Sequence, residues 1–151
     1  VYQRWREVLA GAKSRGGLVE FHTCHKLLIM AHSQRHYREL GQLVAHAKER
    51  DPEELFAEYE GRLMEALRLQ ATAKKNANVL QHIMGFFKKD LSSAEKEELQ
   101  EVIDRYRLGY TPLIVPVTLI NHYVRKYGES YLAKQWYLHP HPIELKLRNH
   151  V

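Results

Sequence analysis

Apolar residues recur at three- and four-residue steps along nearly the whole chain, and no stretch shows the two-residue alternation of a half-buried strand. Trp5, Val8 and Leu9 mark a first helix over residues 2–13, with Gly16-Gly17 as its stop. A second helix is expected over 18–40, with a shorter continuation after Gly41 through residue 48. Asp51-Pro52-Glu53-Glu54 is a strong helix start: Asp51 caps, Pro52 suits the first turn, and the two acids favour the positive end of the dipole. Leu55, Phe56, Tyr59, Leu63, Met64 and Leu67 carry that helix onward. Another is expected over 74–89. Beyond it, Ser92 with Glu95 forms a capping box, Leu99, Val102, Ile103 and Tyr106 make a buried stripe, and Gly109 ends the helix as a left-handed cap. Thr111-Pro112 opens a helix through about residue 126, with Pro116 in or near its first turn. A last short helix fits 130–137, and His139-Pro140-His141-Pro142 stops it, leaving an extended or turning tail to Leu147. There is no internal repeat or low-complexity segment. The expected class is all-α, a compact single-domain bundle of about six to seven helices over residues 1–151.

Within this pattern, residues 74–89 (KKNANVLQHIMGFFKK) divide their chemistry between two faces. At about 100° per residue, Asn76, Val79, Leu80, Ile83, Met84 and Phe87 gather on one side. Lys74, Lys75, Asn78, His82, Gly85 and Lys89 fall within roughly 100° on the other, with no acid among them. Gly85 is the odd member, because glycine inside a helix costs about 1 kcal/mol against alanine. Its bare backbone would admit a close partner, either a second helix or a sugar–phosphate chain. This face points to an anionic partner, with RNA the leading candidate. The competing reading is a solvated lysine face with Gly85 at a helix crossing.

Composition narrows the classes. Hydrophobic residues at 44% with 27% charged residues describe a folded protein rather than a disordered tail. Lys and Arg total 23 against 18 acids, a moderate lean toward polyanions. The one cysteine, Cys24, excludes an internal disulfide framework and suits a reducing cytoplasm. There is no signal peptide, and the apolar run over 113–120 is far short of a membrane span and broken by Pro116. Val1 in place of methionine suggests a piece of a longer protein.

Ten histidines are more than chance would supply, and four lie together in FHTCHKLLIMAHSQRH. On one continuous helix His22, His25, His32 and His36 would share an arc of roughly 80°, and the 22/25 and 32/36 spacings are those of helical ligand pairs. Phe21, Leu28, Ile29, Leu40 and Leu43 lie in or beside that arc, which makes it the core-facing stripe. The expectation is therefore buried or half-buried imidazoles bonded to backbone or neighbouring helices. A metal site would normally recruit a cysteine or carboxylate as well, and Cys24 points about 100° off this face. No metal or cofactor is expected. Cys24 has no flanking glycine turn, and there is neither a GxxxxGK[ST] phosphate loop nor a GxGxxG turn. The pairs Arg105/Arg107, Arg125/Lys126 and Lys146/Arg148 lie near the ends of expected elements, where the helix dipole alone accounts for them. Tyr106, Tyr110, Tyr123, Tyr127, Tyr131 and Tyr137 could serve as stacking platforms, although tyrosines at helical spacing are more often core residues with a wet edge.

The segments Phe21-His22-Thr23-Cys24-His25-Lys26-Leu27-Leu28, Met30-Ala31-His32-Ser33 and Tyr37-x-x-Leu40-Gly41 resemble the opening of the YbgA-like domain of unknown function. The resemblance continues through Asn78 to Lys88, then Asp104-x-Tyr106-Arg107-x-Gly109, Pro112-Leu113-Ile114-x-Pro116, His122-Tyr123, Gln135-x-Tyr137-Leu138 and Leu147-Arg148. It covers nearly the whole chain in order. Cys24 departs from it, standing where the family is expected to carry a basic residue, usually arginine. Such domains occur alone and also C-terminal to a cysteine-rich iron–sulfur domain of the tRNA thiouridine desulfidase class. The resemblance thus implies a helper that holds tRNA for a desulfidase domain, fused or in trans. The chain lacks the cysteines that an iron–sulfur cluster needs.

Three readings follow: a cytoplasmic tRNA-binding accessory module without catalysis of its own, a small metal-dependent or hydrolytic enzyme using the histidine stripe, and a protein-interaction module docking over Gly85. The first assigns RNA contact to Lys74, Lys75, Asn78, His82 and Lys89. Three lysines alone would give a salt slope of only about two on a single strand. A second basic cluster is therefore expected from Arg105, Arg107, Arg125 and Lys126.

Overall fold

The computed structural model describes residues 1–11 and 13–140. Every regular element among them is helical. The chain is all-α. It divides into two compact units, Val1–Gln70 and Ala71–Val151. The expected tail to Leu147 and the Lys146/Arg148 pair lie outside the described residues.

The first unit contains α1 (Tyr2–Ala10), α2 (Arg15–His32), α3 (Gln34–Ala45) and α4 (Pro52–Arg68), with a single 3-10 turn at Ala47–Glu49. Its core is aromatic. The Trp5 ring sits 5.1 Å edge-on to Phe21, 5.3 Å from Tyr59 and 5.9 Å from Phe56. Leu18, Ile29, Leu40, Ala47, Leu55, Leu63 and Ala66 complete the buried set. Trp5 Nε1 donates to Glu60 Oε1 at 3.1 Å, so the indole is fully buried with its one polar atom satisfied.

Helix starts follow hydroxyl and carboxylate caps more closely than glycines. Asp51 Oδ2 accepts from Glu54 N at 3.3 Å and α4 begins at Pro52, as expected. The α1/α2 boundary differs from the expectation. The first helix ends before Gly11, and Ser14 caps the second by accepting from Gly17 N at 3.0 Å. Gly16-Gly17 therefore lies inside the first turn of α2, where backbone N–H groups have no intrahelical acceptor and a capping hydroxyl can take one. The expected break at Gly41 is also displaced. Ser33 (φ −161°, ψ 116°) ends α2 and starts α3, its Oγ accepting from His36 N at 3.2 Å, while α3 runs through Gly41 to Ala45.

The second unit contains α5 (Ala73–Gly85), α6 (Ser93–Arg107), α7 (Ile114–Tyr127), the short α8 (Ser130–Ala133) and a 3-10 turn at Trp136–Leu138. Successive helices pack on one another around Val79, Leu80, Ile83, Phe87, Leu99, Ile103, Val117, Ile120 and Leu132. The capping box is present, with Ser92 Oγ accepting from Glu95 N at 3.1 Å and Glu95 Oε1 accepting from Ser92 N at 3.0 Å. Gly109 (φ +85°) closes α6 as expected, since Tyr110 N bonds Arg105 O and Gly109 N bonds Tyr106 O. Pro116 lies in the first turn of α7.

Two expected helices are cut short. The one over 74–89 ends at Gly85, and the chain continues in tight turns with Phe86 N on Ile83 O and Phe87 N on Met84 O. The helix over 130–137 is interrupted at Lys134–Gln135, where the buried Gln135 leads into the final turn. Two amides tie that turn down. Asn76 Oδ1 accepts from the Tyr137 hydroxyl at 2.7 Å, and Asn121 Nδ2 donates to Leu138 O at 2.8 Å. Asn76 is thus buried among apolar residues because it joins α5 to the end of the fold.

Candidate nucleic-acid interface

Thr72 starts α5 by accepting from Lys75 N at 3.2 Å, which fixes the helical phase of all that follows. Asn76, Ala77, Val79, Leu80 and Ile83 face inward. Lys74, Asn78 and His82 stand one turn apart on the outward face, and the next step of the ridge is Phe86. All four are exposed, whereas Lys75 is half-buried. Lys88 and Lys89 are exposed in the turn beyond Gly85.

Phe86 is a member of this surface that helical spacing alone did not single out. It keeps 38% of its surface in water. Its ring stacks on Tyr131 with centroids 5.0 Å apart and planes 15° from parallel, and His82 meets it edge-on at 5.6 Å and 74°. The ridge therefore runs cation, amide, imidazole, aromatic, and ends in an ordered stack. Gly85 is the last residue of α5 rather than a mid-helix glycine. A Cβ built there would meet nothing within 4 Å, so no other part of the described chain crosses over it.

The four cations expected to form a second cluster are all exposed and lie in the last turns of α6 and α7. Three of them have carboxylate partners. Arg105 pairs with Glu101 at 2.6 Å, Arg107 with Asp104 at 3.6 Å and Lys126 with Glu95 at 2.9 Å. Arg125 has no ion-pair partner among the described residues. Glu95 is held from three sides, and its carboxyl is lowered to about 2 by the Ser92 backbone N–H first, then by the Tyr127 hydroxyl and Lys126. The same interactions raise Tyr127 and Lys126 above their ordinary values, chiefly through hydrogen bonding to Glu95. This second cluster is accordingly less cationic than its sequence implies.

Formal charge is still concentrated in this half of the chain. Residues 71–151 carry 12 Lys and Arg against 8 acids, whereas residues 1–70 carry 11 against 10. The first unit does contain an open groove of about 670 Å³ whose lining includes Arg38, Gln42, His46, Arg50 and Arg62 together with the acidic Glu39 and the apolar Leu43. Two of its arginines are already engaged, Arg62 with Glu39 and Glu58, and Arg50 with Glu58. Both carboxyls are held below their ordinary range, Glu39 first by Arg35, which pairs with it at 3.0 Å, and then by Arg62, and Glu58 first by Arg50 and then by Arg62.

The four early histidines are buried or half-buried, as expected: His22, His25 and His36 are buried and His32 is intermediate. They do not share one helix, because the Ser33 break places His36 on α3. Each has its own structural partner. His25 Nδ1–H donates to Phe21 O at 2.7 Å, and Nε2 accepts from Arg4 Nε at 2.8 Å. The His36 ring accepts from the Ser33 hydroxyl through Nδ1 at 2.8 Å and reaches Glu65 through Nε2 at 3.2 Å. His32 Nδ1–H donates to Leu69 O at 2.7 Å, and His22 meets the Tyr59 hydroxyl at 2.9 Å. Among the described residues no three His, Cys, Asp or Glu side chains converge in a way that suits a metal ion. Cys24 is half-buried with its thiol 3.5 Å from Glu20 Oε1. No helix of the described residues is long and apolar enough to cross a membrane.

A family model described as "Protein of unknown function (DUF1722)" matches residues 26–142, a stretch that includes the whole ridge and Tyr131. The chain is 34% identical over 137 residues to "Uncharacterized protein YbgA" of Escherichia coli (strain K12), an alignment covering 90% of this chain and 81% of that protein. No solved structure matches.

Proposed function

The chain belongs to the YbgA-like DUF1722 family, and from that premise we propose that it is a helical RNA-binding accessory module of the cytoplasm. The observation that supports this reading best is the outward ridge of α5. Lys74, Asn78 and His82 offer a phosphate-pairing cation and two groups able to hydrogen-bond base edges or sugar hydroxyls, and no acid interrupts them. The ridge ends on an exposed aromatic stack, a second kind of recognition that nucleic acids use and a merely solvated lysine face lacks.

The RNA proposed is tRNA, held for a thionucleoside desulfidase or another RNA-modifying partner, fused or in trans. That part rests on the resemblance to domains that accompany such enzymes. The module's task in this reading is positioning, with the chemistry supplied by the partner. A gel shift with bulk tRNA at two salt concentrations tests it: the reading expects binding that weakens as salt rises, because lysine–phosphate pairing releases counterions. Absence of any shift at low salt would remove it.

A further inference from the structure

We propose that the Phe86–Tyr131 stack is a platform for an unpaired base, so that the RNA taken by this surface is single-stranded where it meets the end of α5. This deepens, and rests on, the RNA-binding reading above.

Phe86 is the residue that needs a reason. Its neighbour Phe87 is fully buried and supplies what the core requires at the end of α5, yet Phe86 is left 38% in water. The ring is nevertheless held on two sides, face-on by Tyr131 and edge-on by His82. An aromatic fixed in this way and still exposed is preorganised for a flat ligand, because a base added to the column need not first order the side chains. Every base has a π-face, so such stacking tolerates any sequence.

The surroundings select a nucleic acid from among flat ligands. Lys88 and Lys89 follow directly, and Lys74 stands at the other end of the ridge, about 18 Å away along the helix. That distance spans several nucleotides of a stacked strand. Asn78 and His82 lie between, where their donors and acceptors can reach sugars or base edges. In a continuous duplex each base face is already covered by its neighbours and the A-form major groove is too narrow for side chains, so an exposed ring has no base face to meet. Loops, bulges and strand ends offer one.

The test is fluorescence anisotropy with a labelled 12-nucleotide oligouridylate and a 12-base-pair RNA duplex, using the full chain and the variants Phe86→Ala, Phe86→Leu and Phe86→Tyr. The wild-type chain should prefer the single strand. Phe86→Ala and Phe86→Leu should both lose affinity for it on the order of tenfold and leave duplex binding unchanged, while Phe86→Tyr stays near wild type. The leucine variant keeps apolar bulk and fold, and so separates loss of a ring face from loss of packing. Single-strand affinity unchanged in Phe86→Leu, with Lys74→Glu still weakening it, overturns the platform and leaves the RNA reading standing. A wild-type preference for duplex overturns the platform without any variant. Failure of the wild-type chain to bind either RNA removes both.

Discussion

His22 Nδ1 lies 2.9 Å from the Tyr59 hydroxyl inside the first unit, and its Nε2 is buried with no hydrogen-bond partner. Protonating this imidazole would place a cation where burial disfavours charge and where Lys26 and His25 add repulsion. Those causes, burial first, lower its pKa to about 4 from the ordinary 6.5. Burial likewise pushes the Tyr59 hydroxyl far above its usual range, so this pair is neutral at physiological pH.

The sign of the pH effect follows. Between about pH 6.5 and 4 the unfolded chain binds a proton at His22 that the folded chain does not. Unfolding is therefore favoured as pH falls through that window, with up to about 3 kcal/mol lost when it has been crossed. Urea unfolding at pH 7.5, 6, 5 and 4 should show this loss. The His22→Leu variant, which cannot take up the proton, should lose less over the same range.

In the second unit, Ser92 and Glu95 cap α6 reciprocally. Ser92→Ala should cost about 1 kcal/mol. Glu95 is a depressed carboxyl: it contributes stability above the ordinary carboxylate pKa, and that contribution disappears as pH falls toward about 2. Removing one of its donors with Tyr127→Phe should raise the Glu95 pKa, measurable as a shifted carboxylate titration by NMR.

Gly61 sits on the exposed side of α4, well inside the helix, and a Cβ there would meet nothing within 4 Å. Gly61→Ala should therefore stabilise the fold by about 0.5–1 kcal/mol through helix propensity alone. A thermal melt that falls instead would contradict the open surroundings of Gly61 and show that an alanine side chain is not accommodated at that point of α4.

The all-α class and its sharpest boundaries are legible because their determinants are local. Asp51, Ser92 and Gly109 act within a few residues of the helix ends they set, and each does what its position implies. The break at Ser33 is hidden because helical periodicity continues on both sides of it, and it is made by one hydroxyl shared between the His36 amide and ring. The end of α5 is hidden for a related reason: the Phe86-Phe87-Lys88-Lys89 run continues the amphipathic pattern in tight turns, so helical phase places Phe87 in the core correctly without revealing the stop. The ridge Lys74–Asn78–His82 can be drawn from spacing alone. The stack that ends it cannot, because Tyr131 comes from a distant segment and only the folded chain brings it onto Phe86. The carboxylates that engage Arg105 and Arg107 are within reach of the sequence, being four and three residues away, whereas the pairing of Lys126 with Glu95 crosses from α7 to α6.

The most direct measurement of the central claim is tRNA binding by the Lys74→Glu, Lys89→Glu double variant, beside the wild-type chain at two salt concentrations. Both lysines are exposed, so the fold should be retained and the melting temperature nearly unchanged. The RNA-binding account predicts clearly weaker binding at low salt and a shallower salt dependence, with about 0.7 subtracted from the slope for each lysine–phosphate pairing removed on a single strand. Wild-type affinity and an unchanged salt slope in a folded double variant would contradict it and leave the outward face of α5 as an ordinary solvated surface.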